Sequence, residues 1–584
     1  MTILAIIWSW MFLSCLILGS ATALLIRKVT GYEITHLFSR IFIGFGILIV
    51  YAQAFSIFYK VGNVAQLFLL LICVAFLFLF YKNPFFLRIL WKKPSISLLI
   101  VAGLCIALSA FIAAKSILHP DSYLYHAQAI RWIEEYGVVN GLGNLHNRFA
   151  YNSSAFCLTA LFSFSSLLGQ SFRPINGFIM CMLLLCYTYS WTTIKKQLFS
   201  ISTMIKVASI CYLFTVLWTI SSPSSDEVTT IFIFLLLNRW FELIEDDQTD
   251  TTPFAIICIG FLVAVSLKIS VVFFLLLTLY PAVLLIKQRK WNQILLFISV
   301  GFICILPFLV RNVIISGYLI YPYTAIDIFD FDWKMPASIV QYDYEEIQLW
   351  GRDFYMTVDG SLPFDEWLLA WKSAYHASIL EWFPSWFLKK DLSTKLLIAA
   401  SLVSDFLLIT VGGWISWKKK TIWNSYYSCI VPVFVMLFWL TSAPLLRYGC
   451  AFLILTIAVL TGFFFTHILS PVHAKYYNKI AATWSILSLL YFAIWNLTNI
   501  GDSHKMEPEL NAFIQTDYSD QYSYDTTLLS DITIYYGSYN SYDVFPATPY
   551  KKRIAFIELR GDTLEDGFRV KEEYDNDSYL DMYR

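Results

Sequence analysis

Apolar runs of about 20 residues recur along this chain, and a run of that length is what an α-helix needs to cross a hydrocarbon core of about 30 Å. They lie near 4–26, 37–59, 64–81, 96–114, 174–193, 203–222, 228–243, 252–267, 269–287, 292–310, 393–415, 424–441, 449–467 and 478–498. In lipid only a helix or a closed barrel satisfies its own backbone, and runs this long without alternation are helical. Of the 584 residues, 58% are hydrophobic, 18% aromatic and only 14% charged, with mean hydropathy +0.63; a soluble domain carries roughly 25% charge. The expectation is an all-α polytopic membrane protein of about fourteen transmembrane helices.

Several classes of function are excluded early. Net charge is zero and no long basic run could track a phosphate backbone, which sets nucleic acid aside. The 11 cysteines lie in or beside apolar runs, with neither a disulfide framework nor a CxxC metal pattern. The first run has no basic region before it and is longer than a signal-peptide core, so it reads as the first span. No GxxxxGK[ST] loop and no GxSxG elbow occurs, so nucleotide-driven transport and serine hydrolysis have no support.

Lys and Arg gather on the cytoplasmic side of short loops. Arg27 and Lys28, Lys82, Lys92 and Lys93, Lys195 and Lys196, the KQRK cluster at 287–290 and Lys418, Lys419 and Lys420 therefore mark the inner face. That places both termini outside, together with loops 116–173 and 311–392. The Ser-rich segment 154–169 is too short to span and is expected at the outer interface or re-entering. Three regions follow: N-terminal helices over 1–95, a transmembrane core over 96–498, and a soluble outer appendage over 499–584. The appendage is expected to be α/β or α+β, with TTLLSDITIYY and KKRIAFIEL as strands. It is too small for a large core and should lean on the membrane domain.

The polar interval 118–153, HPDSYLYHAQAIRWIEEYGVVNGLGNLHNRFAYNSS, is the first place to look for chemistry. Asp121 follows Pro120 at the outer end of a span, on a helix that Gly137 should stop, and it shares a face with Tyr125 beside His126. A carboxylate there could accept a proton from a hydroxyl or amine, or it could simply cap the helix. Asp226 and Glu227, in SSPSSDE, form a second acidic point at the same face, again either orienting an acceptor or filling a helix's first turn. Lys268, Arg311 and Arg447 meet the outer surface, where they suit a lipid phosphate or snorkel to ordinary headgroups. Asp405, in mid-span, is costly enough to be a candidate as well, although an interhelical hydrogen bond would also explain it. His119, His126 and His146 lack metal-ligand spacing, so no metal site is assigned, and the carboxylates neither require nor exclude a divalent cation.

Four segments together resemble the GT-C superfamily of integral membrane glycosyltransferases that use polyprenyl-phosphate sugars, in the style of protein O-mannosyltransferases and aminoarabinose transferases. They are HPDSYLYHAQAIRWI at 119–133, SSPSSDE at 221–227, RNVIISGYLIYP at 311–322 and APLLRYG at 443–449. The resemblance implies a GT-C-like core in a bacterial cell membrane, acting at the outer face. It implies inverting transfer of a sugar to a glycan, lipid or protein acceptor. Asp121 would be the general base, and Asp226 and Glu227 would place the acceptor. Lys268, Arg311 and Arg447 would neutralise the departing polyprenyl phosphate, with Tyr125, His126 and Tyr448 beside them in the substrate site. The chain departs from that pattern in its extra helices before the loop, in DSYLYH where relatives place a second acidic residue, and in its C-terminal appendage. The competing readings are a polysaccharide polymerase or ligase using a lipid diphosphate, and a transporter or flippase of lipid-linked glycans.

Overall fold

The computed structural model describes residues 1–83, 86, 95–193, 200–356, 358, 362–468, 474–499, 514–518 and 522–574. Lys92, Lys93, Lys195 and Lys196, used above to orient the chain, lie outside the described residues. The membrane-type helices are α1 (Thr2–Thr30), α2 (Leu37–Phe58), α3 (Asn63–Phe80) and α4 (Ile96–Ala113), then the loop helices α5 (Ala127–Tyr136) and α6 (Ser154–Phe162). There follow α7 (Ile175–Thr193), α8 (Ile201–Val216), α9 (Ser225–Glu245), α10 (Thr252–Leu267), α11 (Ile269–Lys287) and α12 (Trp291–Ser316). A second loop carries α13 (Ala337–Gly351), α14 (Phe364–His376) and α15 (Ile379–Lys389). The chain then returns through α16 (Leu392–Lys418), α17 (Lys420–Ser442), α18 (Leu446–His467) and α19 (Ala474–Asn499).

Among the described residues, 9 helices are long and apolar enough to cross a membrane: α1 to α4, α11, α12 and α16 to α18. Four of the other expected spans, α7 to α10, fall short of that measure. Helices α7, α8 and α10 are apolar over only 10–17 residues, and α9 carries Asp226, Glu227, Arg239, Glu242 and Glu245. The physical reason is burial inside the bundle: every residue of α6 is buried, as are most of α9 and α10. A helix surrounded by protein need match neither the thickness nor the polarity of lipid. The lipid-type surface is instead on α3 and α4, where Phe78, Leu79, Leu99 and Leu104 are exposed.

Helices α1 and α2 approach at backbone contact, since a Cβ on Gly44 would lie 1.9 Å from the carbonyl oxygen of Cys15. The polar loop packs on the far end of α2. Gly137 ends α5 at φ 78, and a Cβ there would lie 2.5 Å from the Ser56 carbonyl; only glycine fits both demands. Residues 154–168 form two short helices broken at Phe164, φ 52, rather than a span. Loop 311–392 begins later than expected, because Arg311 is inside α12 and the helix stops at Gly317, φ 81.

The C-terminal region has strands β1 (Asp525–Leu529) and β2 (Ile532–Tyr536) paired antiparallel, with β3 (Ala547–Thr548) added parallel to β2. Strands β4 (Ile557–Leu559) and β5 (Phe568–Val570) make a separate antiparallel pair. TTLLSDITIYY is extended as expected, as the two strands β1 and β2, whereas KKRIAFIEL is not one strand: Lys551–Phe556 is a short helix, α20, and only Ile557–Leu559 extends. The helix wins because it buries Arg553, whose guanidinium donates to Asn147 Oδ1 at 3.3 Å and to the Gly143 carbonyl at 3.2 Å.

The appendage leans on the polar loop through its backbone. Phe568 N–H donates to the Asn140 carbonyl at 2.9 Å, and Asn540 N–H donates to that of Tyr123 at 2.7 Å. Gln128 donates to the Ser541 and Val544 carbonyls at 2.7 and 2.6 Å.

Candidate functional site

The chain after Pro120 opens with a wide π-type turn, Ser122–His126, before regular α5 begins. Such turns are frequent at functional sites because they re-aim side chains. Asp121 stands at the helix start, yet its carboxylate makes no capping hydrogen bond. It accepts instead from Arg447 Nη2 at 2.9 Å, across 326 residues of sequence. The cap alternative therefore gives way to an ion pair.

Arg447 sits in the first turn of α18, where a short loop after α17 delivers it to the same face. Its Nη2 also donates to Tyr448 Oη at 2.8 Å, its Nη1 lies 3.2 Å from His119 Nε2, and its Nε lies 3.9 Å from Asp226 Oδ2. Asp226 is in the first turn of α9, capped not by itself but by the Ser224 hydroxyl. Its other oxygen accepts from Lys268, which sits between α10 and α11 with its ammonium 4.0 Å above the Tyr448 ring. Two carboxylates and two cations from four distant segments thus form one alternating cluster, Asp121–Arg447–Asp226–Lys268, with side chains 14–33% exposed.

Burial drives the His126 imidazole down to about 3, so at neutral pH this ring is uncharged. Burial also pushes the Asp121 carboxyl up, but the Arg447 guanidinium beside it prevails and holds it below its ordinary value. With His126 neutral, Arg447 is the charge that keeps Asp121 ionised. Tyr125 stacks edge-on against His126 at 4.4 Å and faces His146 at 6.3 Å, so it forms the aromatic wall on the loop side.

Two of the expected site residues lie elsewhere. Glu227 turns away from the cluster and accepts from Thr219 Oγ1 at 2.5 Å. Arg311 is buried and donates to Asn152 Oδ1 at 2.9 Å and Ser56 Oγ at 2.5 Å, tying α12 to α2 and to the end of the loop. Asp405 is buried in α16, and neither carboxylate oxygen has a hydrogen-bond partner among the described residues. No group of three or more His, Cys, Asp and Glu side chains among the described residues is placed to hold a metal ion.

A second polar network lies under the loop, outside the expected site residues. Arg148 pairs with Asp343 at 3.1 Å and Glu346 at 2.7 Å, and Asp343 also accepts from Tyr321 at 2.8 Å and Asn147 at 2.5 Å. The usable hint was Asp343 and Glu346 three apart on one face of the aromatic helix α13.

Residues 1–454 of the 584 match the family described as Domain of unknown function (DUF8201). The chain belongs to this family. Every member of the Asp121–Arg447–Asp226–Lys268 cluster falls within the DUF8201 region, and the C-terminal strands fall beyond it. No curated protein and no solved structure matches the chain.

Proposed function

We propose that this protein is a membrane glycosyltransferase that moves a sugar from a polyprenyl-phosphate donor to a glycan, lipid or protein acceptor at the outer face of a cell membrane. The observation that carries the reading is the cluster itself: Asp121, Arg447, Asp226 and Lys268 meet where helices end at one face, each no more than one-third exposed to solvent. Three of the four GT-C-like segments, at 119–133, 221–227 and 443–449, contribute to it. The fourth contributes the buried Arg311 outside it.

A glycosyl phosphate arriving at headgroup level would offer Arg447 and Lys268 oxygens in place of those of Asp121 and Asp226. Arg447 would then carry the phosphate, and Asp121 would be released from its ion pair beside the reacting centre. The acceptor hydroxyl attacks the anomeric carbon, its proton passes to the Asp121 carboxylate, and the anomeric C–O bond breaks with its electron pair leaving on the polyprenyl phosphate. Attack opposite the leaving group inverts the anomeric centre. Cations already in place where negative charge develops lower that barrier most. Asp226 keeps Lys268 positioned and, with Tyr125, lines the acceptor side.

The test is Asp121→Asn with a purified polyprenyl-phosphate sugar and a mixed acceptor extract. Transfer should fall by at least about 10²-fold, the lower range for a general base, while donor binding is retained. Transfer at the wild-type rate would remove Asp121 as base. Unaltered glycan passage across vesicles with no transfer in either protein would favour transport instead.

A further inference from the structure

We infer that the protein carries a lipid-binding site distant from the ion cluster, taking one acyl chain of a phospholipid whose phosphate is held by Arg239. A cavity of about 570 Å³ lies between the α1–α2 pair and helices α9, α10 and α12. Sites for small ligands commonly measure about 300–1,000 Å³. Its walls are aliphatic and aromatic along most of their length, with Phe42, Ile43, Leu236 and Phe297 among them. Helix α2 lines it from Ser39 to Ala54, which at 1.5 Å per residue is about 22 Å, long and narrow as an acyl chain is.

The charged side chain and the imidazole of the lining are at one end. There Tyr32, His36, Ser39 and Arg239 line the wall. Arg239 shares Glu242 with Lys206, at 3.1 and 2.9 Å, so two cations compete for one carboxylate. A guanidinium with spare donors is suited to a phosphate. Arg239 lies on α9, thirteen residues beyond Asp226, hence about 20 Å away along the axis. The site belongs to the opposite half of the membrane from the cluster.

The way in is lateral. Leu25 and Val29 on α1 and Ile303 on α12 line the cavity and are also exposed on the outside of the bundle. An apolar space of this size does not hold ordered water, and left empty its lining would lose its dispersion contacts. A lipid tail entering from the side fills it, and the polar end meets the headgroup.

Gly46 provides the test, because it lines the cavity and a Cβ there meets nothing within 4 Å. Full-length protein in dodecyl maltoside is exposed to palmitoyl-oleoyl phosphatidylglycerol, and retained lipid per chain is counted by native mass spectrometry. Wild type should keep one phospholipid. Gly46→Phe should lower its affinity at least about ten-fold without lowering the melting temperature in detergent. Arg239→Gln, whose side chain is partly solvent-exposed and whose loss leaves the apolar wall intact, should weaken retention of the phospholipid but not of a neutral diacylglycerol. Arg447→Ala should leave retention unchanged, so failure of the glycosyltransferase reading and failure of this one are separable. Equal retention by wild type and Gly46→Phe, detergent alone in the cavity, or equal loss of diacylglycerol with Arg239→Gln would overturn the proposal.

Discussion

Replacing Arg447 by alanine removes the centre of the proposed donor site. In the ligand-free protein Arg447 serves Asp121 at 2.9 Å, Tyr448 at 2.8 Å and His119 at 3.2 Å, with Asp226 at 3.9 Å. In the donor complex it would exchange the Asp121 oxygen for phosphate oxygens. A hydrogen bond to a charged group contributes about 1.5–3 kcal/mol. Arg447 is one-third exposed, and solvent screening favours the lower half of that range. A loss of about 2 kcal/mol corresponds to roughly 30-fold weaker binding. The assay is titration of polyprenyl phosphate, the product of transfer, into detergent-solubilised wild type and Arg447→Ala. Lys268 remains in the variant, so binding should weaken rather than vanish, and added salt should weaken the wild type more than the variant. Equal affinities would refute the assignment and return Arg447 to pairing with Asp121 alone.

Four further outcomes follow from the geometry. Asp121 has a lower pKa in the fold than in the unfolded chain, so its stabilising contribution is present above about pH 4 and is lost as pH falls through the folded value; thermal melts from pH 5 to 3 should show a decline that Arg447→Ala reduces. Glu134 behaves oppositely, because burial raises it to about 7 beside Tyr542 and Ser171. Its contribution is complete below the ordinary carboxyl value of 4.5 and lost as pH rises to the folded value of about 7, so limited proteolysis of the C-terminal region should accelerate between about pH 4.5 and 7, and Glu134→Gln should abolish that dependence. Arg311→Ala should lower stability by about 3 kcal/mol or more, since two buried charge-assisted bonds of about 1.5–3 kcal/mol each are lost, while polyprenyl-phosphate affinity stays at the wild-type value. Gly137→Ala should destabilise the loop and release the C-terminal region together with it, which hydrogen exchange would register over 540–570.

The apolar periodicity made the helical membrane class plain, and nine of the expected spans are long, apolar helices among the described residues. Length alone could not separate a lipid-facing helix from a protein-facing one. Helices α7 to α10 read as spans because burial in protein and burial in lipid select the same side chains. Charge bias at the helix ends, with the GT-C resemblance, groups Asp121, Asp226, Lys268 and Arg447 at one outer face. Which of them pairs with which is not readable, because the contacts bridge 42 to 326 residues and nothing in local pattern encodes such a separation. The neighbouring pair Asp226 and Glu227 illustrates the limit. Both sit in the same first turn, yet successive helical positions point about 100° apart, and only the structure tells which meets Lys268. Arg311 reads as a loop residue because an arginine ends the apolar run, whereas the helix continues through it to Ser316. The Lys551–Phe556 helix was missed for a related reason: its anchor is Asn147, some 400 residues away.

Mass spectrometry of the lipids that copurify with wild type and with Arg447→Ala decides whether the donor is a polyprenyl-phosphate sugar. Wild type should retain a polyprenyl-phosphate monosaccharide, its mass giving the sugar class, and the variant should be depleted of it. A polyprenyl diphosphate bearing a long glycan, or no polyprenyl species in either preparation, would contradict that donor assignment.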